Sequence, residues 1–373
     1  MARKENYVVS NMNVESVLSM KGGKGEDSYD NNSKMQEQHA RSVLHLLMED
    51  LDGVRLSSAA AGAFVVADLG CSSGRNAINT MEFMINHLTE HYTVAAEEPP
   101  EFSAFFCDLP SNDFNTLFQL LPPSDGSSGS YFTAGLAGSF YRRLFPAKSV
   151  DFFYSAFSLH WLSQIPKEVM EKGSAAYNEG RVTIHGAKES TVNAYKKQFQ
   201  SDLGAFLRSR SKELKPGGSM FLMLLGRTSP DPADQGAWIL TFSTRYQDAW
   251  NDLVQEGLIS SEKGDTFNIP IYTPSLEEFK EVVERDGAFI INKLQLFHGG
   301  SALIIDDPND AVEISRAYVS LCRSLTGGLV DAHIGDQLGH ELFSRLLSRA
   351  VAQAKELMDQ FQLVHIVASL TLA

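Results

Sequence analysis

Residues 64–76 read FVVADLGCSSGRN, an apolar run that enters a loop of small residues between Gly70 and Gly74. A helical pattern of apolar residues follows over about 76–91. This succession predicts a buried strand, a tight turn and a helix start, which is where a parallel α/β sheet receives a nucleotide-like ligand. Glycine carries no Cβ, so Gly70 and Gly74 are expected to let the backbone approach that ligand closely.

The glycine loop differs from two common nucleotide-binding loops. Its G-x-x-x-G spacing lacks the third glycine of the dinucleotide-binding G-x-G-x-x-G pattern. No Gly-Lys-Ser/Thr follows that could neutralise a triphosphate. The acid Asp68 precedes the loop and favours a cationic or zwitterionic nucleoside, of which S-adenosylmethionine is the commonest. The alternative is a strand-to-helix turn that binds nothing.

The composition excludes several classes of partner. The formal net charge is −14, from 46 acidic and 32 basic residues, whereas nucleic acids and anionic membranes are bound by clustered Lys and Arg. The cysteines Cys71, Cys107 and Cys322 are too few and too scattered for a disulfide framework or a zinc site. Residues 1–10 lack the apolar core of a signal peptide, and no stretch reaches the length of a membrane span. We therefore expect a cytoplasmic protein that binds small molecules.

Apolar periodicity predicts one domain, residues 1–373, built on a doubly wound α/β sheet with a helical cap. The core is expected over about 34–228 and 286–373, and the cap mainly over 163–190, 229–285 and 306–345. Loops are predicted before about residue 33 and at 122–130, and a sharp turn at 216–218. Strands are predicted at 64–69, 102–108, 150–155, 219–225, 289–297 and 363–372, and helices at 33–51, 76–91, 112–121, 192–214, 311–325 and 339–357.

Asp108 ends the second predicted strand, about 38 residues after the glycine loop. In a βαβ unit the carboxyl ends of parallel strands lie side by side, so an acid at this place can accept hydrogen bonds from two ribose hydroxyls. The strand predicted at 150–155 is followed by aromatic residues that include Phe157 and Trp161. We expect these side chains at the same ligand-bearing edge of the sheet.

Seven motifs in a fixed order resemble those of the SABATH family of plant methyltransferases, and together they cover nearly the whole chain. They are MKGG at 20–23, SY at 28–29 with NS at 32–33, DLGCSSG at 68–74, DLPSNDFN at 108–115, GSFYRRLFP at 138–146, SLHWLS at 158–163 and FNIP at 267–270. The resemblance implies a Rossmann-like class I methyltransferase fold. It also implies transfer of the methyl group of S-adenosylmethionine to the carboxylate of a small acid or, in one branch, to a ring nitrogen of purine alkaloids. Segments 174–178 and 181–186 are similar to the branch that methylates indole-3-acetate.

The resemblance also implies which residues hold the donor. It assigns the ribose hydroxyls to Asp108, in agreement with the position of that acid after the second strand. Phe140 would stack on the adenine, Ser139 would bond it, and Tyr29 would lie close to the sulfonium. Asp68 is then expected to fix the loop. The set implied for S-adenosylmethionine, and for the product S-adenosylhomocysteine, is Lys21, Tyr29, Ser33, Gly70, Cys71, Asn76, Asp108, Leu109, Ser139 and Phe140, with Lys21 and Ser33 on the methionine carboxylate.

For the acceptor, the resemblance implies an amide N–H from Gln36 and an indole N–H from Trp161. Such neutral donors orient a carboxylate and leave its lone pair available. His160 is expected to shape or polarise the pocket and not to act as a base, because a carboxylate is already ionised at neutral pH. The implied substrate-binding set is Tyr29, Gln36, Phe157, His160, Trp161, Phe242, Cys322 and Leu363. Packing in the core is the alternative reading for the aromatic and apolar members and for His160.

Some members of the family carry a magnesium ion near the acceptor. Asn178, Asp265 and Asn268 match the positions that hold it, and Phe267 would contribute its backbone carbonyl. Oxygen ligands suit a hard cation, and the ion would have a structural or activating part. The alternative is an exposed Asp and Asn beside a turn.

The function expected from these residues is conversion of a small aromatic acid, indole-3-acetate first, to its neutral methyl ester. Salicylate, jasmonate, benzoate and gibberellins stay open as acceptors, while Gln36 and Trp161 argue against the ring-nitrogen branch. A nucleoside-binding module without activity is a second class, and the intact Lys21 and Asp108 speak against it. An oxidoreductase would need the third glycine of the G-x-G-x-x-G pattern, which this loop lacks. The family usually forms homodimers, so a homodimer is expected.

Overall fold

The computed structural model describes residues 13–55, 62–121, 131–236, 242, 244–301, 303–360 and 362–373. Seven strands of these residues form one sheet: β1 Phe64–Leu69, β2 Phe102–Asp108, β3 Tyr131–Ala137, β4 Val150–Ala156, β5 Leu214–Leu225, β6 Phe289–Ser301 and β7 Gln362–Leu372. Their order is β3-β2-β1-β4-β5-β7-β6. Strands β1 to β5 pair in parallel, and β7 runs antiparallel to both β5 and β6. The predicted α/β sheet is confirmed.

The central strands are apolar on both faces because helices cover both sides of the sheet. Val66 of β1 and Phe152 of β4 are fully buried neighbours in the parallel register. Leu69 pairs with Cys107, so the glycine loop and Asp108 follow adjacent strands at one edge of the sheet. This edge is where open α/β sheets place their ligands.

Helices surround the sheet and cover its ligand-bearing edge. None of those in the described ranges is long and apolar enough to cross a membrane. The structure divides the predicted helix 339–357 into two helices, 336–352 and 354–360. The helices are α1 Val14–Val17, α2 Tyr29–Asn32, α3 Lys34–Ser42, α4 Leu44–Asp52, α5 Arg75–Val94, α6 Phe114–Leu120, α7 Lys167–Met170, α8 Glu189–Glu213, α9 Thr244–Gln255, α10 Ser261–Asp265, α11 Leu276–Asp286, α12 Ala311–Ile334, α13 Asp336–Ala352 and α14 Ala354–Gln360.

The helix predicted over 33–51 is divided at Val43 into two helices, α3 and α4. The Ser42 hydroxyl donates to the His39 carbonyl at 2.7 Å, and Val43 has φ −112° and ψ 10°, away from helical values. Bonds from serine to a nearby carbonyl compete with the helical ladder in this way. As a result Met35 of α3 packs with the cap, whereas α4 packs against α5 and the sheet.

The helix predicted over 311–325 continues to Ile334 as α12. Its two glycines, Gly327 and Gly328, do not end it. A Cβ at Gly328 would lie 2.9 Å from the Val17 carbonyl, so glycine here admits close packing of α1 against α12. This contact fixes the N-terminal segment over the sheet edge.

Strand β3 is absent from the sequence prediction, and the structure places it at one edge of the sheet. It pairs in parallel with β2, Tyr131 opposite Phe102, and its residues are half-buried or exposed. An edge strand of this kind lacks the continuous apolar run by which buried strands are recognised. The loop predicted at 122–130 lies outside the described residues.

Strand β5 begins at Leu214 and contains the predicted turn at 216–218 as an irregularity. Leu214 pairs with Val150, but Ser219 pairs with Phe152, so the register shifts across the turn. The second residue of the turn is a glycine with φ +80°, a conformation that glycine adopts without strain.

Three apolar clusters hold these elements together. One lies between the sheet and helices α4 and α5, and a second lies between the opposite face and helices α8 and α11. The third, here called the cap cluster, joins residues of α9, α12 and α13 to Trp161, Leu225 and Leu363 at the edge that carries the glycine loop. The cap cluster therefore covers the ligand-bearing edge. The boundaries between core and cap stay a prediction.

Candidate active site

The glycine loop is fixed by hydrogen bonds to the strand beside it. Gly70 N–H donates to the Cys107 carbonyl at 2.7 Å. Ser72 N–H donates to the Asp108 carboxylate, also at 2.7 Å. Gly70 has φ +85°, and a Cβ there would overlap the Ser158 hydroxyl, so the position requires glycine. The loop conformation is therefore set by the protein itself.

The structure corrects two expectations about this loop. The space beside Gly74 is filled by Asp30, whose carboxylate would lie 3.0 Å from an added Cβ, so Gly74 makes room for Asp30 and not for a ligand. Asp30 accepts hydrogen bonds from the Arg75 backbone and guanidinium at 2.7 and 2.6 Å, at the start of α5. The carboxylate that anchors the loop is that of Asp108, and among the described residues none of the hydrogen bonds to the loop involves the Asp68 side chain.

Two adjoining cavities open at this edge of the sheet, with volumes of about 860 and 950 Å³ including the parts open to solvent. They share Tyr29, Gln36, Gly70 and Phe157, so we treat them as two arms of one cleft. Most of the expected donor and acceptor residues come together here. The first arm adds Asp108, Leu109, Ser139, Phe140, His160 and Trp161, and the second arm adds Asp68, Cys71 and Asn76.

Two carboxylates face this cleft without a lysine or arginine partner among the described residues. Burial, together with the nearby charge of Asp108, raises the pKa of Asp68 to about 8. Burial also raises the pKa of Asp108 to about 6, although the N–H groups of Ser72 and Leu109 that bond its oxygens act in the opposite direction. A positively charged ligand would lower both pKa values and offset the repulsion between the two acids.

Lys21 and Ser33, expected at the methionine carboxylate, do not line the cleft. The Lys21 ammonium is paired with Asp27, and 40% of the lysine side chain is exposed. Burial alone would raise the pKa of Asp27, but the charges of Lys21 and Arg323 hold it below its ordinary value. Ser33 is buried, and its hydroxyl and carbonyl oxygens each accept a 3.0 Å hydrogen bond from the Asn76 amide. Ser33 therefore supports a residue that does line the cleft.

Gln36, His160 and Trp161 meet in the first arm. The buried Oε1 atom of Gln36 has no hydrogen-bond partner among the described residues. Nδ1 of His160 accepts from the Leu225 N–H at 3.4 Å, which assigns the ring proton to Nε2, and burial lowers the pKa of His160 to about 3. All three side chains are therefore neutral near pH 7, and each carries an N–H group.

The backbone around these side chains is held from two directions. Residues 160–162 pair with residues 270–272 through backbone hydrogen bonds of 2.8 and 3.0 Å. The Tyr141 hydroxyl donates to the Trp161 carbonyl at 2.5 Å. Phe157, which lines both arms, has φ +54°, a strained conformation for phenylalanine that is typical of functional sites. The acceptor side of the cleft is thus built on rigid backbone.

Phe242, Cys322 and Leu363, expected around the ring of the substrate, are fully buried in the cap cluster. They pack in the same cluster as Trp161 but do not line either arm. The structure thus places these three behind the wall of the cleft.

An apolar wall that the sequence prediction omits comes from the N-terminal segment and its neighbours. Val14 and Leu18 are four residues apart, the spacing of one helix face, but the glycine-rich stretch that follows them favours a loop. Helix α12 contributes a leucine from the opposite side. The apolar members of this wall are Val14, Leu18, Met20, Met35, Leu225 and Leu325.

The four residues expected at a magnesium ion lie together, next to residues 270–272. Both oxygens of Asp265 accept hydrogen bonds at 2.9 Å, from the Tyr177 hydroxyl and from a backbone N–H. The Asn178 amide donates to Oδ1 of Asn268 at 2.7 Å. Their carboxylate, amide and carbonyl oxygens are the donors that a hard cation prefers, so the set fits magnesium chemically. Among the described residues no group of three or more His, Cys, Asp or Glu could hold a metal.

A sequence profile described as SAM-dependent carboxyl methyltransferase matches residues 15–373. The chain belongs to this family of S-adenosylmethionine-dependent carboxyl methyltransferases. The expected family, enzyme class and methyl donor are therefore confirmed. The donor of this family carries a positive sulfonium and an ammonium group.

Relatives of this methyltransferase match it over nearly its full length. Indole-3-acetate O-methyltransferase 1 of Arabidopsis thaliana is 57% identical over 380 residues, covering 98% of each chain. The enzyme of the same name from Oryza sativa subsp. japonica is 51% identical, covering 96% of this chain and 94% of the other. The solved structure of loganic acid methyltransferase with SAH has a TM-score of 0.83 and 29% identity, covering 95% of this chain and 98% of that one. The class I methyltransferase fold is confirmed by this likeness.

Donor binding is expected to depend on pH through Asp68. Because its pKa is raised to about 8, a positively charged donor must displace a proton from it at neutral pH. Affinity for S-adenosylmethionine should therefore rise by up to about tenfold per pH unit below about pH 8. In the absence of donor, the stability of the fold should depend on pH in the opposite direction. The folded state holds the Asp68 proton more tightly than the unfolded state does, so the free energy of unfolding should fall as the pH rises from about 4 to about 8.

Calorimetry between pH 6 and 9 in buffers of different ionisation enthalpy measures both the affinity and the proton release. Asp68→Asn is the matched variant, since it keeps the shape of the side chain and removes the titration. Proton release that is equal in the two proteins would contradict the assignment to Asp68.

Proposed function

We propose that the protein transfers the methyl group of S-adenosylmethionine to the carboxylate of indole-3-acetate, with methyl indole-3-acetate and S-adenosylhomocysteine as products. The observation that carries the proposal is the meeting of three neutral N–H donors, from Gln36, His160 and Trp161, in the arm that also holds Asp108. The relatives at 57% and 51% identity are named for indole-3-acetate, whereas one at 39% is named for gibberellic acid. Together these favour the indole acid over salicylate, jasmonate, benzoate or a gibberellin.

In this proposal the donor lies along both arms of the cleft. Asp108 accepts from the ribose hydroxyls, and Phe140 covers the adenine with Leu109 and Ser139. The methionine part passes Gly70 into the second arm, where Asp68 faces its positive charges. Cys71 and Asn76 complete the set there, Ser33 supports it through the Asn76 amide, and Lys21 would reach the methionine carboxylate from outside the arm. For Lys21 this role requires that its ammonium leaves Asp27.

The proposed reaction is a displacement at the methyl carbon. A carboxylate oxygen forms the new C–O bond while the C–S bond breaks and its electron pair returns to sulfur. The carboxylate and the sulfonium become a neutral ester and a thioether, and no proton is removed. Tyr29 lies where the two arms adjoin, beside the proposed position of the methyl group. Holding the three reacting atoms in line in a water-poor cleft supplies the catalysis.

The acceptor carboxylate is proposed to rest on the N–H groups of Gln36 and Trp161, with Nε2–H of His160 as a third donor. Neutral donors fix its direction without withdrawing the lone pair as an ion pair would. The aromatic ring would lie against the apolar wall that includes Val14 and Leu18, with Phe157 between the arms. Phe242, Cys322 and Leu363 would support this wall from the cap cluster.

Replacing His160 with alanine is expected to lower kcat/KM for indole-3-acetate about ten- to hundredfold, the effect of one lost hydrogen bond to a charged carboxylate. The shape of the pH profile between pH 6 and 9 should not change, because the carboxylate needs no base. His160→Gln, which keeps a neutral N–H, should recover part of the rate. An acidic limb of the wild-type profile that disappears in His160→Ala would show instead that the histidine removes a proton.

We also propose that the oxygens of Asn178, Asp265, Phe267 and Asn268 hold a magnesium ion. The ion would neutralise Asp265 and tie the segment leading to residues 270–272 in place, and it takes no part in the methyl transfer. Support comes from the hydrogen bonds that join Asn178 to Asn268 and Asn268 to the Asp265 carbonyl. The thermal midpoint should rise with added magnesium and should not respond in Asp265→Asn.

The protein is further proposed to act in the cytoplasm as a homodimer. The three cysteines are buried and form no disulfide bond within the described part of the chain, as expected in a reducing compartment. Phe132 of the edge strand β3 is 64% exposed, and Phe118, which lies against Gly135 of the same strand, is also exposed. An aromatic edge of this kind is a surface that a second copy can cover. A monomeric mass in sedimentation at every concentration would contradict the homodimer.

A methyl-transfer assay tests the proposed function directly. The panel is indole-3-acetate, salicylate, jasmonate, benzoate and a gibberellin, each with the same donor. We expect the highest kcat/KM with indole-3-acetate and no product from a ring nitrogen without a carboxylate. Equal low rates on all the acids would reject indole-3-acetate as the preferred acceptor.

A further inference from the structure

A buried ion pair on α8 lies outside the cleft but next to its wall. Arg210 and Glu213 are both 0% exposed, and guanidinium nitrogens lie 2.6 and 2.7 Å from the carboxylate. The guanidinium also lies over the rings of Phe153 and Phe206, at 5.1 and 5.2 Å from their centres. Two charges removed from water in this way are costly unless their other hydrogen-bonding groups are also satisfied.

Those other groups all bond to one turn, residues 139–145. Arg210 donates to the carbonyl oxygens of Phe140 and Arg142 at 2.8 and 3.0 Å. Glu213 accepts from two consecutive backbone N–H groups of the same turn, at 2.5 and 3.0 Å. The ion pair therefore sets the path of the turn through four backbone groups, and the planar fork of arginine is what allows two carbonyls to be bound at once.

The turn in question lies beside both proposed binding sites of the first arm. Its first residues, Ser139 and Phe140, line the first arm beside Asp108. Its next residue, Tyr141, donates its hydroxyl to the Trp161 carbonyl at 2.5 Å. Phe140 thus meets the proposed adenine site, and the adjacent Tyr141 fixes the backbone of a proposed acceptor ligand.

We propose that Arg210 and Glu213 are positioning residues for methyl transfer: the ion pair sets the turn 139–145 so that Phe140 meets the adenine while Tyr141 holds Trp161 for the acceptor. The inference rests on the proposed function, because it takes Phe140 and Trp161 as donor and acceptor contacts. It adds that one ion pair, which neither substrate touches, aligns the donor with the acceptor.

The test is Arg210→Lys in the full chain. Lysine keeps the charge of the ion pair but cannot bond both carbonyls of the turn. We expect the Kd for S-adenosylhomocysteine and the KM for indole-3-acetate each to rise about tenfold. Binding of 5′-methylthioadenosine, which carries the adenosine without the amino acid, should weaken by the same factor.

Arg245→Lys is the matched control. Arg245 is also buried and paired with a glutamate, Glu356 at 3.0 Å, but it makes none of the bonds to the turn. In this variant the Kd for S-adenosylhomocysteine and the KM for indole-3-acetate should keep their wild-type values. If Arg210→Lys, folded by circular dichroism, binds both ligands as tightly as Arg245→Lys does, the proposal is overturned.

Tyr141→Phe provides a second measurement that does not disturb the ion pair. Loss of the bond to the Trp161 carbonyl should raise the KM for the acceptor several-fold and leave the Kd for S-adenosylhomocysteine unchanged. An unchanged KM for the acceptor would show that Tyr141 does not hold Trp161 for the acceptor. That result would overturn the proposal even if Arg210→Lys did not fold. Failure of the proposed function is distinguishable, because the wild-type protein would then bind S-adenosylhomocysteine without methylating the indole acid.

Discussion

Asp108→Ala is expected to weaken binding of S-adenosylhomocysteine by about two to three orders of magnitude. The carboxylate is the proposed acceptor for two ribose hydroxyls, and hydrogen bonds to a charged group contribute about 1.5–3 kcal/mol each. It also accepts the N–H groups of Ser72 and Leu109 at 2.7 Å, so the substitution frees the glycine loop as well. Isothermal titration calorimetry with the purified variant measures the loss.

Asp113→Ala is the matched control for this prediction. Asp113 also accepts backbone N–H groups, from Thr116 at 2.9 Å and Gly23 at 3.1 Å, but it does not line the cleft. Its removal should lower the thermal midpoint without a comparable loss of affinity. Equal affinities in the Asp108 and Asp113 variants would mean that Asp108 does not touch the donor.

Gln36→Glu is expected to lower kcat/KM for the acid by about two to three orders of magnitude at pH 8. The introduced carboxylate would stand beside the acceptor carboxylate, and two like charges about 4 Å apart repel by about 4 kcal/mol in a partly buried site. Binding of the cationic donor should not weaken. Steady-state kinetics with both substrates varied separates the two effects.

The pH dependence of this variant offers a sharper check. A buried carboxyl group has a raised pKa, and once protonated it is again a neutral donor, so activity should partly recover as the pH falls towards about 6. Gln295→Glu, at an exposed position on β6, adds the same charge away from the cleft and should keep wild-type kinetics. Equal losses in the two variants would exclude a specific contact between Gln36 and the acceptor.

Much of the site was accessible from the sequence because it lies at the ends of strands. The glycine loop follows β1 and Asp108 follows β2, and parallel pairing brings these two ends together whatever the rest of the chain does. Trp161 follows β4 in the same way. In each case a short local pattern and one rule of sheet geometry are enough.

Other parts of the site depend on contacts between distant segments. Asp30 fills the space beside Gly74, where the sequence predicted a ligand. Asp27 pairs with Lys21, which was also expected to contact a ligand. Val14 forms a wall of the cleft from a segment whose composition resembles a loop. A side chain chooses among partners by distance in space, which local periodicity does not report.

The limits of strand and helix prediction here have the same origin. Strand β3 exists because β2 offers it a free edge, and its half-exposed residues carry little pattern of their own. Helix α12 continues through Gly328 because α1 packs against that glycine. In both places a neighbouring element outweighs the local propensity.

The positions of most strands and helices, the glycine loop and the neutral character of the proposed acceptor ligands can be read from the amino-acid sequence, since they rest on local patterns and on residue chemistry. The charge state of Asp68, the buried pair of Arg210 and Glu213 and the apolar wall around Val14 cannot, since burial and pairing arise only when distant segments pack together. The unpaired acids and the fixed turn exist only in the folded chain, and they are where its donor and acceptor are proposed to meet.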